Sequence, residues 1–435
     1  GDKEIIIETG KLAGQAAGAV TIQQGDSLIF SAVTMGEARE GLDFFPLTVD
    51  YEERMYAGGR IPGSFFRREG RPRAEAVLTA RMVDRPIRPL FPDGMRNEVQ
   101  VMLMSLSADT ENPLDIIAIN AASASLMISD IPWHGPVGAV RIGYNNGEFI
   151  VNPTFSEMEV SKLDLVVVGT KEAVAMVEAG ADEVSEQIMV QALDLAHKSI
   201  QPIIELQEQM AREIGKEKQQ VETAVTESTL IEQVQGKMRD RLLEILNKPY
   251  TKENLYGGIS DLKKAVIDEM TADKAEELAE TELKTLKKTV GNDFEEAEKT
   301  IVRERILKDR VRPDGRGPKD IRDIWCEINI SPRAHGSGLF TRGETQVLTL
   351  ATLGTPRDAK EMDNLLPTDQ KKRYMHHYNF PPFCTGEVGR LFTSRREIGH
   401  GMLAERALEK MIPDEKDFPY TLRLVSEVLS SNGSS

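Results

Sequence analysis

The chain has 435 residues, with 54 Lys and Arg against 70 Asp and Glu, a formal charge of −16, 40% apolar residues and 29% charged ones. That apolar fraction excludes a wholly disordered chain, and at roughly 150 residues per domain the length suggests about three domains. No stretch nears the roughly 18 apolar residues that span a bilayer and no basic-then-apolar leader opens the sequence, so a cytoplasmic protein without a membrane partner is expected.

In chain order, residues 19–23, a turn at Gln24, Gly25 and Asp26, and residues 27–34 alternate and β-branch around a glycine, the pattern of a β-hairpin. Between residues 54 and 96 stand ten arginines and no lysine against Glu69, Glu75, Asp84 and Asp93, a local charge of +6 within an acidic chain. Arginine alone favours planar contact with phosphate, although a solvated, salt-bridged face has the same composition. Leu165, Val166, Val167 and Val168, closed by Gly169, suit a buried strand, and a helix is expected from about residue 185 to 209. From about residue 203 to 308 the texture turns to Glu, Lys, Leu, Ala and Gln. Ala275, Leu278, Ala279, Leu283 and Leu286 recur at helical steps and form one apolar stripe. A helical insertion that touches RNA and a plain structural spacer both fit it.

After Arg312, Pro313, Asp314, Gly315 and Arg316 the β-rich texture returns as a copy. Residues 337–341, the turn Arg342, Gly343 and Glu344, and residues 345–352 repeat the first hairpin at an offset of 318. Leu78 lines up with Leu403 at an offset of 325, and Pro92 with Pro413 at 321. Such ordered self-similarity indicates internal duplication. The expected fold class is α/β (α+β): a first β-α domain over residues 1–202, an all-helical domain over 203–310 and a second β-α domain over 311–435, which reads as cut short.

Chemistry concentrates in three places. Ser431, Asn432, Gly433, Ser434 and Ser435 follow a strand-like run, and small hydroxyl residues around a glycine can converge on a tetrahedral oxyanion, though a flexible tail has the same composition. Their counterpart in the first copy is expected near Asn120, Ala121, Ala122 and Ser123. Ser394 with Glu397 has capping-box spacing, which would put Arg396 and His400 on one face of a helix as two cations beside its N-terminus. Gly63 to Gly70 bound Phe65, Phe66, Arg67 and Arg68, where rings can stack on bases and guanidinium groups hold phosphates; the rings could equally anchor the loop to a core. The histidines lack metal-ligand spacing, and no GxxxxGK[ST] or GxSxG pattern occurs. Cys326 and Cys384 lack CxxC spacing and are expected as reduced, half-buried thiols.

These stretches together resemble the bacterial polynucleotide phosphorylase family, two ribonuclease PH-like domains around a helical one. The match is carried by Leu42 through Glu52 with the preceding Gly41, by the arginine loop, by Asp84, Arg85, Pro86, Ile87 and Arg88, by Phe340, Thr341, Arg342, Gly343 and Glu344, by Tyr378, Asn379, Phe380, Pro381, Pro382 and Phe383, and by the terminal Ser/Gly turn. The resemblance implies a nucleotidyltransferase of RNA degradation: 3′-to-5′ phosphorolysis of single-stranded RNA, with inorganic phosphate as co-substrate, nucleoside diphosphates as products and reversible polymerisation. It implies a homotrimeric ring and RNA-degradation partners such as an endoribonuclease and a helicase. It would give Phe65, Phe66, Arg67 and Arg68 an RNA-gripping role, Ser434 and Ser435 the attacking phosphate, and Arg395, Arg396 and His400 the catalytic site. The family's Mg²⁺ ligands lie downstream of the Ser/Gly turn, so none is expected within this chain, and the chain alone is expected to be inactive. A catalytically silent RNA-binding or scaffold protein is the competing reading.

Overall fold

The computed structural model of the chain describes residues 3–38, 42, 44–221, 230–251, 253–274, 278–362, 364–365 and 371–432. Gly1–Ala224 and Ile324–Ser435 make one compact unit and Val225–Asp323 a second. In the first unit, strands β1 (Ile6–Thr9), β2 (Gly18–Gln24), β3 (Ser27–Ala38) and β4 (Leu47–Glu52) are followed by helix α1 (Ala74–Ile87), β5 (Asn97–Ser107) and α2 (Leu114–Ile128). The strands form one sheet in the order β1-β2-β3-β5-β4, antiparallel except for the β4–β5 pair. Alternation explains it: Val20 and Ile22 of β2 and Val99, Val101 and Leu103 of β5 point to the core. Helix α2, apolar nearly all round, is buried on that face.

Beyond α2 come β6 (Gly138–Asn145), β7 (Glu148–Val151), the short α3 (Phe155–Glu159), β8 (Leu163–Gly169) and β9 (Val174–Ala181), a sheet ordered β7-β6-β8-β9. The apolar run at residues 165–168 is the buried centre of β8, as its composition predicts. Helix α4 (Glu186–Ile214) is capped by Ser185 and runs through the expected 202/203 boundary. It does so because Ala196, Ile200, Ile204 and Gln207 continue a single buried stripe, in steps of four and three residues, past the change in texture.

The second copy holds β10 (Ile324–Ile328), β11 (Gly336–Arg342), β12 (Thr345–Gly354), two short strands β13 (Lys360–Glu361) and β14 (Lys371–Lys372), then β15 (Tyr374–Asn379), helix α8 (Arg395–Glu409) and β16 (Thr421–Ser430). Its sheet order, β10-β11-β12-β16-β15 with a parallel β15–β16 pair, reproduces the first sheet. The correspondence extends to irregularities. Register slips between Leu28 and Ile29 in β3 and between Gln346 and Val347 in β12, again 318 apart. Gly25 and Gly343 both sit at φ 60°, where a Cβ is disfavoured. The Ala108 amide donates to Ala57 and the Ser431 amide to Cys384, so residue 431 answers to 108.

That register moves one expectation. The first-copy counterpart of the Ser/Gly turn is the stretch after β5 that begins at Ala108 and Asp109; Asn120, Ala121, Ala122 and Ser123 lie buried inside α2. Counted from their first residues, α1 and α8 match at an offset of 321 rather than the 325 of the Leu78–Leu403 alignment. The two differ by four residues, about one helical turn, which leaves an apolar stripe nearly unchanged. The cysteines also differ from expectation: Cys384 is buried, while Cys326 is exposed on β10, an edge strand.

The helical unit contains α5 (Ile231–Leu246), α6 (Gly258–Thr271) and α7 (Glu280–Asp309) around a core of Val234, Met238, Leu242, Val266, Phe294 and Ile301. Helix α7 does not extend back through the expected stripe. Its N-cap is Ala279, whose amide donates to the Glu282 carboxylate at 3.2 Å; Ala275 lies outside the described residues. Leu286 still packs against the core.

Candidate active site and nucleic-acid interface

The capping box predicted at Ser394 forms. Ser394 Oγ accepts from the Glu397 amide at 3.2 Å and Glu397 Oε2 accepts from the Ser394 amide at 2.6 Å. Glu397 is buried, and its Oε1 accepts the Phe380 amide at 2.8 Å, tying the first turn of α8 to the end of β15. Gly401 brings the helix close: a Cβ there would stand 3.2 Å from the His376 carbonyl oxygen and 3.4 Å from the Tyr378 amide nitrogen.

Arg396 and His400 share a face, each laid on an aromatic ring of β15 or its exit. The Arg396 guanidinium carbon is 5.1 Å from the Phe380 ring centre, and the His400 ring stacks on Tyr378 at 5.0 Å. Tyr378 and Phe380 themselves stack at 6.4 Å. The expectation of two cations is corrected. Burial, followed by the positive charges of Arg396 and Arg81, holds the His400 pKa below its ordinary value, so at neutral pH the face carries Arg396 and a neutral imidazole. Arg81, a residue of α1, reaches this face because Gly399 has no side chain; a Cβ there would stand 2.6 Å from Arg81 Nε. Arg395 turns elsewhere, donating to the Val49 carbonyl at 2.7 Å and to Asp50 Oδ1 at 2.6 Å.

The strand β16 ends beside this cluster. Ser431 is hydrogen-bonded to Cys384, and Cys384 lies within electrostatic reach of Arg396, so the chain leaves β16 near the positive end of α8. Gly433, Ser434 and Ser435 lie outside the described residues, as do Gly41 and Asp43 of the sequence motifs. Among the described residues no three His, Cys, Asp or Glu side chains are grouped so as to hold a metal ion.

The arginine loop is a separate feature. Phe65 and Phe66 are 93% and 85% exposed with their rings edge to face at 5.5 Å, so they do not anchor the loop to the core. Arg67, at φ 49°, donates its amide to Ser64, and Ser64 Oγ donates to the Arg68 carbonyl at 3.0 Å. Glu69 fixes the base of the loop by accepting the Met55 amide at 3.1 Å, and backbone donors hold its carboxyl below the usual range. Two exposed aromatic rings followed by two arginines are an arrangement suited to unpaired bases.

The chain with this doubled β-α sheet belongs to the 3′ exoribonuclease family. The family's domain 1 matches residues 1–132 and 320–435, its domain 2 matches residues 135–199, and a segment described as the RNA binding domain of polyribonucleotide nucleotidyltransferase matches residues 229–317. Among relatives, a polyribonucleotide nucleotidyltransferase of Chloroflexus aurantiacus is 52% identical across the whole chain and one of Thermus thermophilus is 50% identical across it. The chain spans 57% and 60% of their respective lengths.

Sequence reasoning identifies Arg396, His400 and the Ser394–Glu397 cap but misses Tyr378 and Phe380 as their support and the bond from the Phe380 amide to Glu397, and it counts Arg81 only within the arginine cluster. The alternation of aromatic residues at 378 and 380, on one side of a strand next to the capped helix, was the available signal.

Proposed function

We propose that the protein to which this chain belongs degrades single-stranded RNA from the 3′ end by phosphorolysis and runs the reverse polymerisation. An oxygen of inorganic phosphate attacks the terminal phosphorus, the bond from phosphorus to the preceding 3′ oxygen breaks, and a nucleoside diphosphate leaves with the shortened strand ending in a 3′ hydroxyl. Two anions must meet in such a reaction, so fixed positive groups lower its barrier. The observation that carries the reading is the seat at α8: the helix N-terminus, Arg396 on Phe380 and the neutral His400 on Tyr378, beside the exit of β16. Arg396 draws in the phosphate and His400 adds a hydrogen bond to it, while Ser434 and Ser435 complete the cradle. The loop of Phe65, Phe66, Arg67 and Arg68 grips the strand. Arg395 serves as a brace between the copies through Asp50.

A homotrimer in the cytoplasm, with Mg²⁺ bound by groups outside the described residues and with RNA-degrading enzymes as partners, belongs to the same proposal. RNA as the substrate is supported by the names of the two polyribonucleotide nucleotidyltransferases above and by the RNA-binding description of the match at residues 229–317. The test is release of nucleoside diphosphates from a short single-stranded RNA with phosphate and Mg²⁺, in protein of the relatives' full length. Arg396→Ala should lower the rate about a hundredfold while RNA binding persists, as for loss of one charge-stabilising donor. Release of monophosphates without phosphate, or full activity in the variant, would overturn the proposal; RNA binding with no turnover at all would favour a scaffold.

A further inference from the structure

Where the His400 ring lies on Tyr378 in the second copy, the first copy has open space. The pairing registers put Tyr51 where Tyr378 stands, and counted from the helix starts Thr79 replaces His400 and Glu75 replaces Arg396. With a short side chain in place of the imidazole, a cavity of about 370 Å³ is left beside Tyr51 and Thr79, within the size range of small-molecule sites. Leu78, Met82, Leu114 and Val166 line it with apolar surface.

The charges around the cavity are already matched. Glu75 lies 3.3 Å from Lys360, Glu178 lies 2.8 Å from both Arg85 and Arg406, and Arg141 lies 2.8 Å from Asp115 and 2.9 Å from Asp164. Glu53 stands in the field of Arg73 and Arg60, and its burial disfavours the charged form. A ligand of either sign would bring an unpaired charge into a partly buried space, a cost that a neutral ligand avoids. Two polar groups on the wall remain unspent. Tyr51 is only 6% exposed, yet among the described residues its hydroxyl has no hydrogen-bond partner. Burial, followed by the charges of Glu53 and Asp115, holds that hydroxyl protonated well above the ordinary tyrosine range, so it is a donor. Glu53, two residues on and lining the same cavity, accepts the Leu365 amide through Oε1 at 3.1 Å and keeps Oε2.

We propose that this cavity binds a neutral carboxamide on an apolar or aromatic body, its carbonyl oxygen accepting from the Tyr51 hydroxyl and its N–H donating to Glu53. The inference is independent of phosphorolysis, and its test reads binding alone. Benzamide is the probe, titrated by calorimetry into the whole protein beside benzoate and benzamidine, which have the same shape and carry a negative or a positive charge. Benzamide should bind saturably at one site, and both charged analogues should bind at least about tenfold more weakly. Tyr51→Phe removes one neutral hydrogen bond and should weaken benzamide by about two- to tenfold. Because that hydroxyl has no partner among the described residues, the variant's melting temperature should not fall. Thr79→Phe, which puts a ring where the His400 ring stands in the second copy, should abolish binding. No saturable binding, tighter binding of either charged analogue, or undiminished benzamide affinity in either variant would each overturn the proposal.

Discussion

Glu397 joins the two halves of the candidate site, and its removal has a calculable cost. Glu397→Ala takes the acceptor from the Phe380 amide at 2.8 Å and from the Ser394 amide at 2.6 Å. A partly buried donor left unsatisfied costs about 1–3 kcal/mol, and loss of a capping contact about 1 kcal/mol. Since the Ser394 amide belongs to both counts, roughly 2–4 kcal/mol of local stability should go. Hydrogen exchange reads this directly. At about 1.4 kcal/mol per tenfold, the Phe380 and Ser394 amides should exchange roughly 30- to 700-fold faster, with little change in β2 or β3. Glu397→Gln, which keeps one oxygen, should show about half that effect on a logarithmic scale. Unchanged protection at Phe380 in the alanine variant would show that this carboxylate does not fasten β15 to α8, and the account of how Arg396 and His400 are oriented would fail with it.

Replacing Phe65 and Phe66 together by Ala should leave the melting temperature unmoved, since both rings are already exposed, yet weaken single-stranded RNA binding by about 1–3 kcal/mol per stacked base in a fluorescence titration. Arg67→Ala with Arg68→Ala should reduce the slope of log affinity against log salt by about 1.4, the share of two phosphate contacts on a single strand. Sulfate, whose charge is constant in this range, should bind the α8 seat more tightly as pH falls through the depressed His400 pKa and the ring becomes charged; His400→Asn should flatten that profile in calorimetry. Burial raises the Asp109 pKa, but donors from Asn112, Glu111 and Ser27 outweigh it and hold it low. Its contribution to stability is thus present above the unfolded value of about 3.9 and lost as pH falls through the lower folded value, so Asp109→Asn should cost stability at neutral pH and nothing in strong acid, as denaturant titrations would show.

Much of the fold was legible because its signals are short-range. The hairpin turns at Gly25 and Gly343, the strand at residues 165–168 and the Ser394 capping box each involve residues a few positions apart, where composition and geometry are tightly coupled. What stayed hidden depends on distance along the chain. Arg395 and Asp50 are 345 residues apart, and nothing in either neighbourhood marks them as partners. The place of Arg81 against Gly399 depends on how two helices cross. The first-copy counterpart of the Ser/Gly turn was misplaced because loops between the repeats change length, and only strand pairing fixes the count. Texture drew a boundary near residue 202, whereas α4 obeys the spacing of its buried face.

The matched bulges and the matched left-handed turns show which features resist change when a domain is doubled. A backbone at φ 60° penalises a side chain whatever chemistry happens nearby, and a bulge must be kept if the following strand is to aim correctly. Side chains lining the hollow answer only to what enters it. The sheet is therefore a common chassis with exchangeable fittings. Divergence of that kind lets the two halves of one protein change their linings independently on the same frame.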